Sequence, residues 1–481
     1  MHVEVERQRE VHGMRRREFV KGSLAGTARA LGFPAIVPAS ALGAGGVTPP
    51  SERITMGCIG VGSMGTGDMR GFLQNDDLRV VAVCDVREAS RQRAKGIVDA
   101  QYGDRNCAVY NDFRELLSRD DIDSVSIATG ERWHALISME AARRGKHIHC
   151  EKPLALSIAE AKALRDTVQR CRVVFQLGTQ QRSSQLFRFA TELVRNGRIG
   201  QLQTIAIGSA GGGRSALPLG LGFTSMPAEK PAPIPAGVDW DLWLGPSPWA
   251  PYSDLRITRT WMSIREYALG AIGGEYGVHD IDIGQWANNS DDTTPIGVEG
   301  TGDVYHDIRD TLTTYEIEYT YANGVKMQLM DLVTARKRFW QFQFGESVPG
   351  VSVGLILIGT EGWIWVSRVG MQTQPASLMR TVLGPNDIRV LRSDNHRRNF
   401  LEAIRNGQPT VSTVESGVHD EMICQMGDIA VRMGRKLDWD PVKEVFKNDE
   451  LANRRLSRPM RSPWRVEIPG PPGVNQTKAR T

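Results

Sequence analysis

The sequence has little that would serve metal binding, membrane insertion or nucleic-acid recognition. Its six cysteines, Cys58, Cys84, Cys107, Cys150, Cys171 and Cys424, include no CxxC pair, and no Cys/His spacing suits a zinc site. No uncharged apolar stretch reaches the ~18 residues that a spanning helix requires, so no membrane insertion is expected. Lys and Arg are scattered rather than clustered and the net charge is only +4, which leaves no nucleic-acid footprint. Internal repeats are absent too. What remains is ordinary for a soluble globular protein: 41% apolar and 24% charged residues, with 50 glycines and 24 prolines that call for many loops. At 481 residues the chain exceeds what one core organises, so two domains are expected.

The first 45 residues read as an address. Arg16-Arg17-Glu18-Phe19-Val20-Lys21 fits the twin-arginine export pattern, a weakly apolar run follows from Gly22 to Ala44, and Ala39-Ser40-Ala41 offers a small-residue cleavage site. A signal peptide over 1–45 and a linker over 46–52 are expected, with the twin-arginine export machinery as a partner and a periplasmic or otherwise exported location. A disordered basic arm is the alternative. The tail, residues 469–481, is expected to be disordered.

Between 53 and 177, short apolar runs alternate with helical stretches. Strands are expected at Ile54–Ile59, Leu78–Cys84, Ala108–Val109, Ser124–Ala128, His147–Cys150 and Val173–Leu177. Helices are expected after Gly65, at Ala89–Ala100, Asp112–Ser118, His134–Arg144 and Ile158–Arg170. That alternation predicts a doubly wound parallel sheet of the Rossmann type with right-handed crossovers. Cys58, Cys84 and Cys150 fall in its core strands, as small buried hydrophobes. From 178 to 468 the texture is different. Helix Gln185–Asn196 and strand Leu202–Ile207 lead to a Gly/Pro-rich section, Gly211 to Tyr252, that carries Trp240, Trp243 and Trp249. Strands then recur at Leu312–Tyr321, Val325–Leu332, Phe339–Phe344 and Gly354–Gly359, before helices His396–Asn406 and Val414–Met433. This predicts a C-terminal α+β domain with a large open, mainly antiparallel sheet, so that the chain as a whole is α/β.

The first strand runs directly into Gly60-Val61-Gly62-Ser63-Met64-Gly65, which opens a helix, and Asp85 closes the second strand twenty residues after the last glycine. In this context the glycines have separate tasks: Gly60 for a tight turn, Gly62 for close approach of a pyrophosphate, Gly65 for helix–strand packing. The helix N-terminus supplies free N–H groups and positive potential. Asp85 would accept hydrogen bonds from the adenosine ribose and repel a 2′-phosphate, favouring NAD, while Arg87 keeps NADP open. Glu151-Lys152-Pro153 follows strand His147–Cys150 at the carboxyl edge of the sheet, where such folds place ligands. Glu275 and His279 stand four residues apart, one above the other if their stretch is helical. His titrates near neutrality and suits removal of an alcohol proton. Taken alone, Lys152 could be a surface lysine and His279 a packed helix-start histidine.

Gly60–Gly65, Asp85, Trp133-His134, Gly145-Lys146-His147, Glu151-Lys152-Pro153 and the Glu275/His279 pair together resemble the Gfo/Idh/MocA oxidoreductases. The likeness runs over nearly the whole mature chain, and Asp239-Trp240-Asp241-Leu242-Trp243-Leu244-Gly245-Pro246 with Asn448 to Trp464 is similar to exported bacterial members. The resemblance implies a Rossmann domain, a C-terminal domain whose open sheet often mediates homo-oligomers, and a carbohydrate substrate. It makes Lys152 the active-site lysine, His279 the proton acceptor, and Gln180 and Arg182 part of the substrate pocket; many members have Asp where Glu275 stands. The cofactor-binding set is then Gly60, Gly62, Ser63, Met64, Gly65, Asp85, Arg87, Thr129, His134, Glu151 and Lys152, with Tyr276 beside the substrate. His147 and His149, two apart on one strand, fall within the pre-lysine strand, so no metal is expected.

Three functions follow as expectations. The first is hydride transfer between a sugar, polyol or glycoside carbon and the cofactor. The second is a redox-neutral glycosidase that oxidises C3, eliminates the aglycone, adds water and reduces back, to whose Tyr-x-x-His arrangement Tyr276 and His279 are similar. The third is a non-catalytic sugar-binding protein. Export as a folded protein also implies a cofactor held tightly, because no nicotinamide pool is available outside. Retention over hours needs an off-rate near ~10⁻⁴ s⁻¹, hence a Kd of roughly 10⁻¹⁰ M at a typical on-rate.

Overall fold

Strand β1 (Ile54–Ile59) is buried at all but one position, as a strand covered on both faces must be. In the structure, a computed structural model that describes residues 49–209, 227–338 and 354–466, β1 lies inside a six-stranded parallel sheet. Its successors are α1 (Ser63–Phe72), β2 (Leu78–Cys84), α2 (Glu88–Tyr102), β3 (Ala108–Tyr110), α3 (Phe113–Leu117), β4 (Ser124–Ile127), α4 (Glu131–Arg143), β5 (His147–Cys150), α5 (Ile158–Cys171) and β6 (Phe175–Leu177). The spatial order β3-β2-β1-β4-β5-β6 reverses direction between β1 and β4, which opens a crevice at their carboxyl ends. Cys58, Cys84 and Cys150 are buried and unpaired in β1, β2 and β5.

Local signals account for the helix starts. Ser157 caps α5, its hydroxyl accepting from the Glu160 N–H at 3.3 Å and donating to the Glu160 carboxylate at 2.8 Å. This fixes where the chain goes after Lys152-Pro153. Helix α4 begins at Glu131, three residues before the expected His134, with Gly130 as its N-cap.

The second part contains α6 (Gln185–Arg195), β7 (Leu202–Ser209), α7 (Trp240–Leu244), α8 (Asp254–Ile257), α9 (Gly277–Ala287), β8 (Gly297–Val304), β9 (Leu312–Thr320), β10 (Lys326–Asp331), α10 (Leu332–Arg338), β11 (Gly354–Gly359), β12 (Trp363–Ser367), β13 (Gly370–Gln374), α11 (His396–Asn406), α12 (Val414–Met433), β14 (Leu437–Asp440) and β15 (Val445–Phe446). Its nine described strands run β13-β12-β11-β7-β10-β9-β8-β14-β15. β7 and β10 pair in parallel and every other neighbouring pair is antiparallel, so the sheet is mixed and mostly antiparallel.

Five of these strands, β8 and β12–β15, are absent from the sequence expectation. β8 carries Gly300 and Gly302 among polar residues and is a strand because β9 pairs with it from Gly297↔Thr320 onward. The expected strand Val325–Leu332 stops at Asp331, whose carboxylate accepts from the N–H groups of Val333 and Thr334 at 2.9 and 3.1 Å and turns the chain into α10. The expected signal segment, the strand at Phe339–Phe344, residues 211–226 of the Gly/Pro-rich section and the tail lie outside the described residues.

The described residues from Ile54 onward make one compact unit, and the sheet of β1–β6 does not complete its own core. Phe400 and Leu401 of α11 pack with Met56, Val80 and Phe72 on one face of it. Arg397 and Arg398 pin α11 to Asp68 and Asp77 at 2.6 and 2.8 Å.

Candidate active site

At the β1–β4 crevice the glycines behave as their spacing implies. Gly60 has φ +78°, and a Cβ there would lie 2.6 Å from the Ala128 carbonyl oxygen just past β4. A Cβ on Gly65 would overlap the Gly60 carbonyl oxygen, whereas at Gly62 the nearest atom is the Arg87 guanidinium at 3.7 Å. Gly62 is therefore a bare N-cap with no side chain covering the first N–H groups of α1, a cradle suited to a phosphate. Asp85 accepts from the N–H groups of Val61 at 3.0 Å and Arg87 at 2.9 Å. Burial pushes its pKa up, and those N–H groups with the Arg87 guanidinium pull back. Its remaining lone pairs point to the acceptor role expected for a ribose.

These groups open into a cavity of about 640 Å³ whose lining includes Gly60, Gly62, Ser63, Met64, Asp85, Arg87, Thr129, His134, Glu151 and Lys152. Gly65 lies behind the loop. A nicotinamide dinucleotide fits this donor set: a bare helix N-terminus for the pyrophosphate, a carboxylate for the ribose and a lysine in the same lining.

The cavity also has a wall that the sequence reading missed. Residues 237–239 bond to the loops that follow β2 and β3 at the carboxyl end of the Rossmann sheet. Gly237 O accepts from Glu88 N–H at 2.8 Å, Asp239 N–H donates to Val86 O at 2.9 Å, and the Asp239 carboxylate accepts from Asn111 at 2.7 Å. Asp239 also caps α7 by accepting from Leu242 N–H at 2.9 Å. Trp243 stacks on Trp240 at 4.5 Å, and Arg132 lies 4.2 Å over its ring while donating through Nε to its carbonyl at 3.0 Å. Trp243, Arg259 and Trp261 line the cavity. The signal was present, since Asp239-Trp240 reads as a cap before a helix, but nothing local says which surface a helix of five residues covers.

Lys152 is fixed by two carbonyls: its Nζ donates to Gly274 O at 2.6 Å and Glu275 O at 2.9 Å. Burial lowers its pKa, while Glu151, Glu131 and Glu275 work against that. Glu151 is buried, its pKa pushed up to about 8 by that burial, and it accepts from Gln180 at 2.6 Å. Gln180 thus orients Glu151 behind the lysine. His279 is 3% exposed, and its Nδ1 has no hydrogen-bond partner among the described residues. Burial first, then the charges of Lys152, Arg368 and His396, hold it well below the usual imidazole range. It is a neutral base with a vacant lone pair or N–H.

The expected stacking of Glu275 over His279 requires correction. Residues Ala271–Glu275 form a π-helical turn, Tyr276 breaks it with φ −123°, and α9 starts only at Gly277. The two residues therefore do not share one α-helical face, and the charge of Glu275 is felt instead by Lys152, Tyr305 and Tyr315. Tyr276 lies 6.4 Å from the His279 ring, and Arg368, in the β12–β13 turn, sits 5.2 Å over the Tyr276 ring. Arg368 carried no sequence signal, because β12 and β13 themselves were not recognised.

Arg182 is also not where the resemblance implies. It is 3% exposed, donates to Asp282 at 2.7 Å and to both oxygens of Asp291 at 3.0 and 2.8 Å, and lies 5.3 Å over Trp286. A guanidinium so fully paired ties α9 to the segment after β6 and has no donor left for a substrate. His134 lines the cavity yet works as a brace: its Nδ1 reaches Pro153 O at 2.6 Å and its Nε2 Thr129 O at 3.2 Å. His147 accepts from Val174 N–H at 3.0 Å, and His149 packs on Phe72 and Phe400. The two histidines therefore face different surroundings.

Comparison with known proteins agrees with this geometry. Residues 54–179 match the model described as "oxidoreductase family, NAD-binding Rossmann fold", and residues 190–338 and 388–466 that described as "oxidoreductase family, C-terminal alpha/beta domain". Among curated relatives, a glycosyl hydrolase family 109 protein of Shewanella sp. (strain ANA-3) and an alpha-N-acetylgalactosaminidase of Shewanella oneidensis are each 34% identical over 175 residues. Each match covers 33% of this chain and 38% of the relative. Among solved structures, scyllo-inositol dehydrogenase from Lactobacillus casei, with NAD(H) and scyllo-inositol bound, superimposes with a TM-score of 0.54 at 18% identity over 80% of this chain and 99% of that one. Myo-inositol 2-dehydrogenase from Lactobacillus plantarum gives 0.55 at 18% identity, over 80% and 99%. These likenesses establish the shared fold. The chain belongs to the Gfo/Idh/MocA family of oxidoreductases, with that family's NAD-binding Rossmann domain and C-terminal α/β domain.

Proposed function

We propose that this protein is an NAD-dependent oxidoreductase acting on a CH–OH group of a sugar, polyol or glycoside. The observation that carries this reading is Lys152 Nζ, fixed at 2.6 and 2.9 Å on two carbonyls in the wall of the nucleotide cavity. When bound, the nicotinamide supplies the hydride acceptor. His279, neutral and with Nδ1 unpartnered, takes the hydroxyl proton, and the Lys152 ammonium steadies the alkoxide that results. Residues 237–262, bonded to Val86, Glu88 and Asn111 near Asp85 and contributing Trp243 and Trp261 to the lining, would cover the ribose end of a bound cofactor and support its tight retention. That retention suits export in folded, loaded form by the twin-arginine route.

A redox-neutral glycosidase is the second reading. The glycosyl hydrolase family 109 relatives favour it, as does the Tyr276 ring 6.4 Å from His279. The purified mature protein, given a panel of polyols, sugars and aryl glycosides with cofactor absorbance and aglycone release followed together, separates the two. Reduced cofactor without release supports the first, release without net reduction the second, and neither on any substrate overturns both. Mature protein isolated from the periplasm without nucleotide would refute tight retention.

A further inference from the structure

Glu131 opens α4 at the carboxyl end of β4 and is 2% exposed. One oxygen, Oε2, accepts from the Leu269 N–H at 2.8 Å. The other, Oε1, is buried with no hydrogen-bond partner among the described residues. It lies against the α-carbon of Gly274 so closely that a Cβ there would overlap it. Gly274 is the residue whose carbonyl receives Lys152 Nζ, and Glu131, Lys152 and Gly274 all line the nucleotide cavity. A buried carboxyl oxygen without a partner is costly unless something nearby compensates it. Here the compensating group is the lysine ammonium on the far side of one peptide unit.

The geometry points to Glu131 as a positioning residue whose carboxylate is the counter-charge that keeps Lys152 protonated at the cofactor cavity. Through Leu269 it also holds the chain entering the π-helical turn that presents the two carbonyls to Lys152. The surroundings are consistent with this. Burial pushes the Glu131 pKa up, and the Leu269 N–H with the Lys152 and Arg458 charges pulls it back toward the ionised form against Glu421. Arg132 and Cys424 also feel its charge. Around Lys152 the other charges are Glu151, Glu275 and Arg368, and His279 faces it from α9. Glu151 is another carboxyl whose charge Lys152 feels, and removal of the Glu131 charge leaves burial freer to deprotonate the ammonium.

The catalytic consequence rests on the Lys152 role proposed above, but the charge relation can be measured without a substrate. Competitive labelling with acetic anhydride across a pH series, read by mass spectrometry on the Lys152 peptide of the full-length protein, reports its amine titration directly. Glu131→Gln keeps an oxygen for the Leu269 N–H and removes the charge. The Lys152 pKa is expected to fall by about 1–3 units in Glu131→Gln, and by less in Glu131→Asp, whose shorter arm withdraws the carboxylate without abolishing it. The thermal midpoint of Glu131→Gln, which keeps the Leu269 contact, is expected to stay near wild type. An unchanged Lys152 titration in Glu131→Gln overturns the proposal. If that variant does not fold, an unchanged titration in Glu131→Asp does the same. Loss of turnover with an unchanged titration would leave the oxidoreductase reading standing and remove this one.

Discussion

Burial sets the working state of each residue at the site. His279 is held neutral by desolvation and by the nearby Lys152 and Arg368 charges, so its base form is present throughout the neutral range, and any acid limb of kcat due to it lies below the ordinary imidazole range. Lys152→Ala and His279→Ala are each expected to lower kcat by at least ~10²-fold, with NAD affinity, measured by fluorescence titration, within a few-fold of wild type. Wild-type rates in both variants would refute the assignment. Arg182 is a different case. Its removal leaves Asp282, whose side chain is 0% exposed, without its cation in the core. Arg182→Ala should cost about 3–5 kcal/mol in urea unfolding, and the loss should appear in stability rather than in KM. The sequence pattern did not separate these cases, because a buried ion pair and a substrate-binding arginine look the same until Asp282 and Asp291 are brought around one of them.

At the scale of elements, the β1–α1 turn was almost fully legible. Each glycine answers a local steric need that spacing encodes, and the structure separates their roles further. At Gly65 a methyl group would overlap the Gly60 carbonyl, while at Gly62 it would meet nothing closer than 3.7 Å. Gly62→Ala is therefore expected to fold with an unchanged thermal midpoint and to bind NAD at least ~10-fold more weakly, by crowding the phosphate cradle. Gly65→Ala is expected to lose both stability and binding. Equal behaviour of the two variants in paired melting and NAD titration would show that the cradle is not where the pyrophosphate sits. The strands β8 and β12–β15 were much less legible. Their pairing partners lie far along the chain, and glycines and polar residues hide their alternation; β-propensity largely reports packing against neighbours that the sequence does not name.

For the whole molecule, the buried titratable groups oppose one another across the pH scale. Burial depresses His134 to about 4 and His149 and His396 to about 3. Their stability contribution is complete above the ordinary imidazole pKa and is lost as pH falls from there. Burial raises Glu151 to about 8, and Glu421 and Asp280 to about 7. Their contribution is complete below the ordinary carboxylate range and is lost as pH rises through those values. The lowered pKa of Lys152 acts in the opposite direction. The thermal midpoint is therefore expected to be highest near pH ~6.5 and to drop by several degrees by pH ~8.5, with Glu151→Gln flattening the alkaline side. A midpoint that rises over that interval would contradict the burial-driven shifts.

By itself the sequence determined the parallel αβ layer, the glycine cradle, Asp85 and the Lys152 motif. Each of these depends on interactions within a few residues or on the period of a single element. Tertiary structure decided the rest. It placed residues 237–262 over the cavity, brought α11 into the first core, committed Arg182 to an ion pair, split Glu275 from His279 with a π-turn, and set Glu131 beside Lys152. These outcomes depend on which distant surfaces meet and which buried charges must be compensated there, and neither is written in local periodicity.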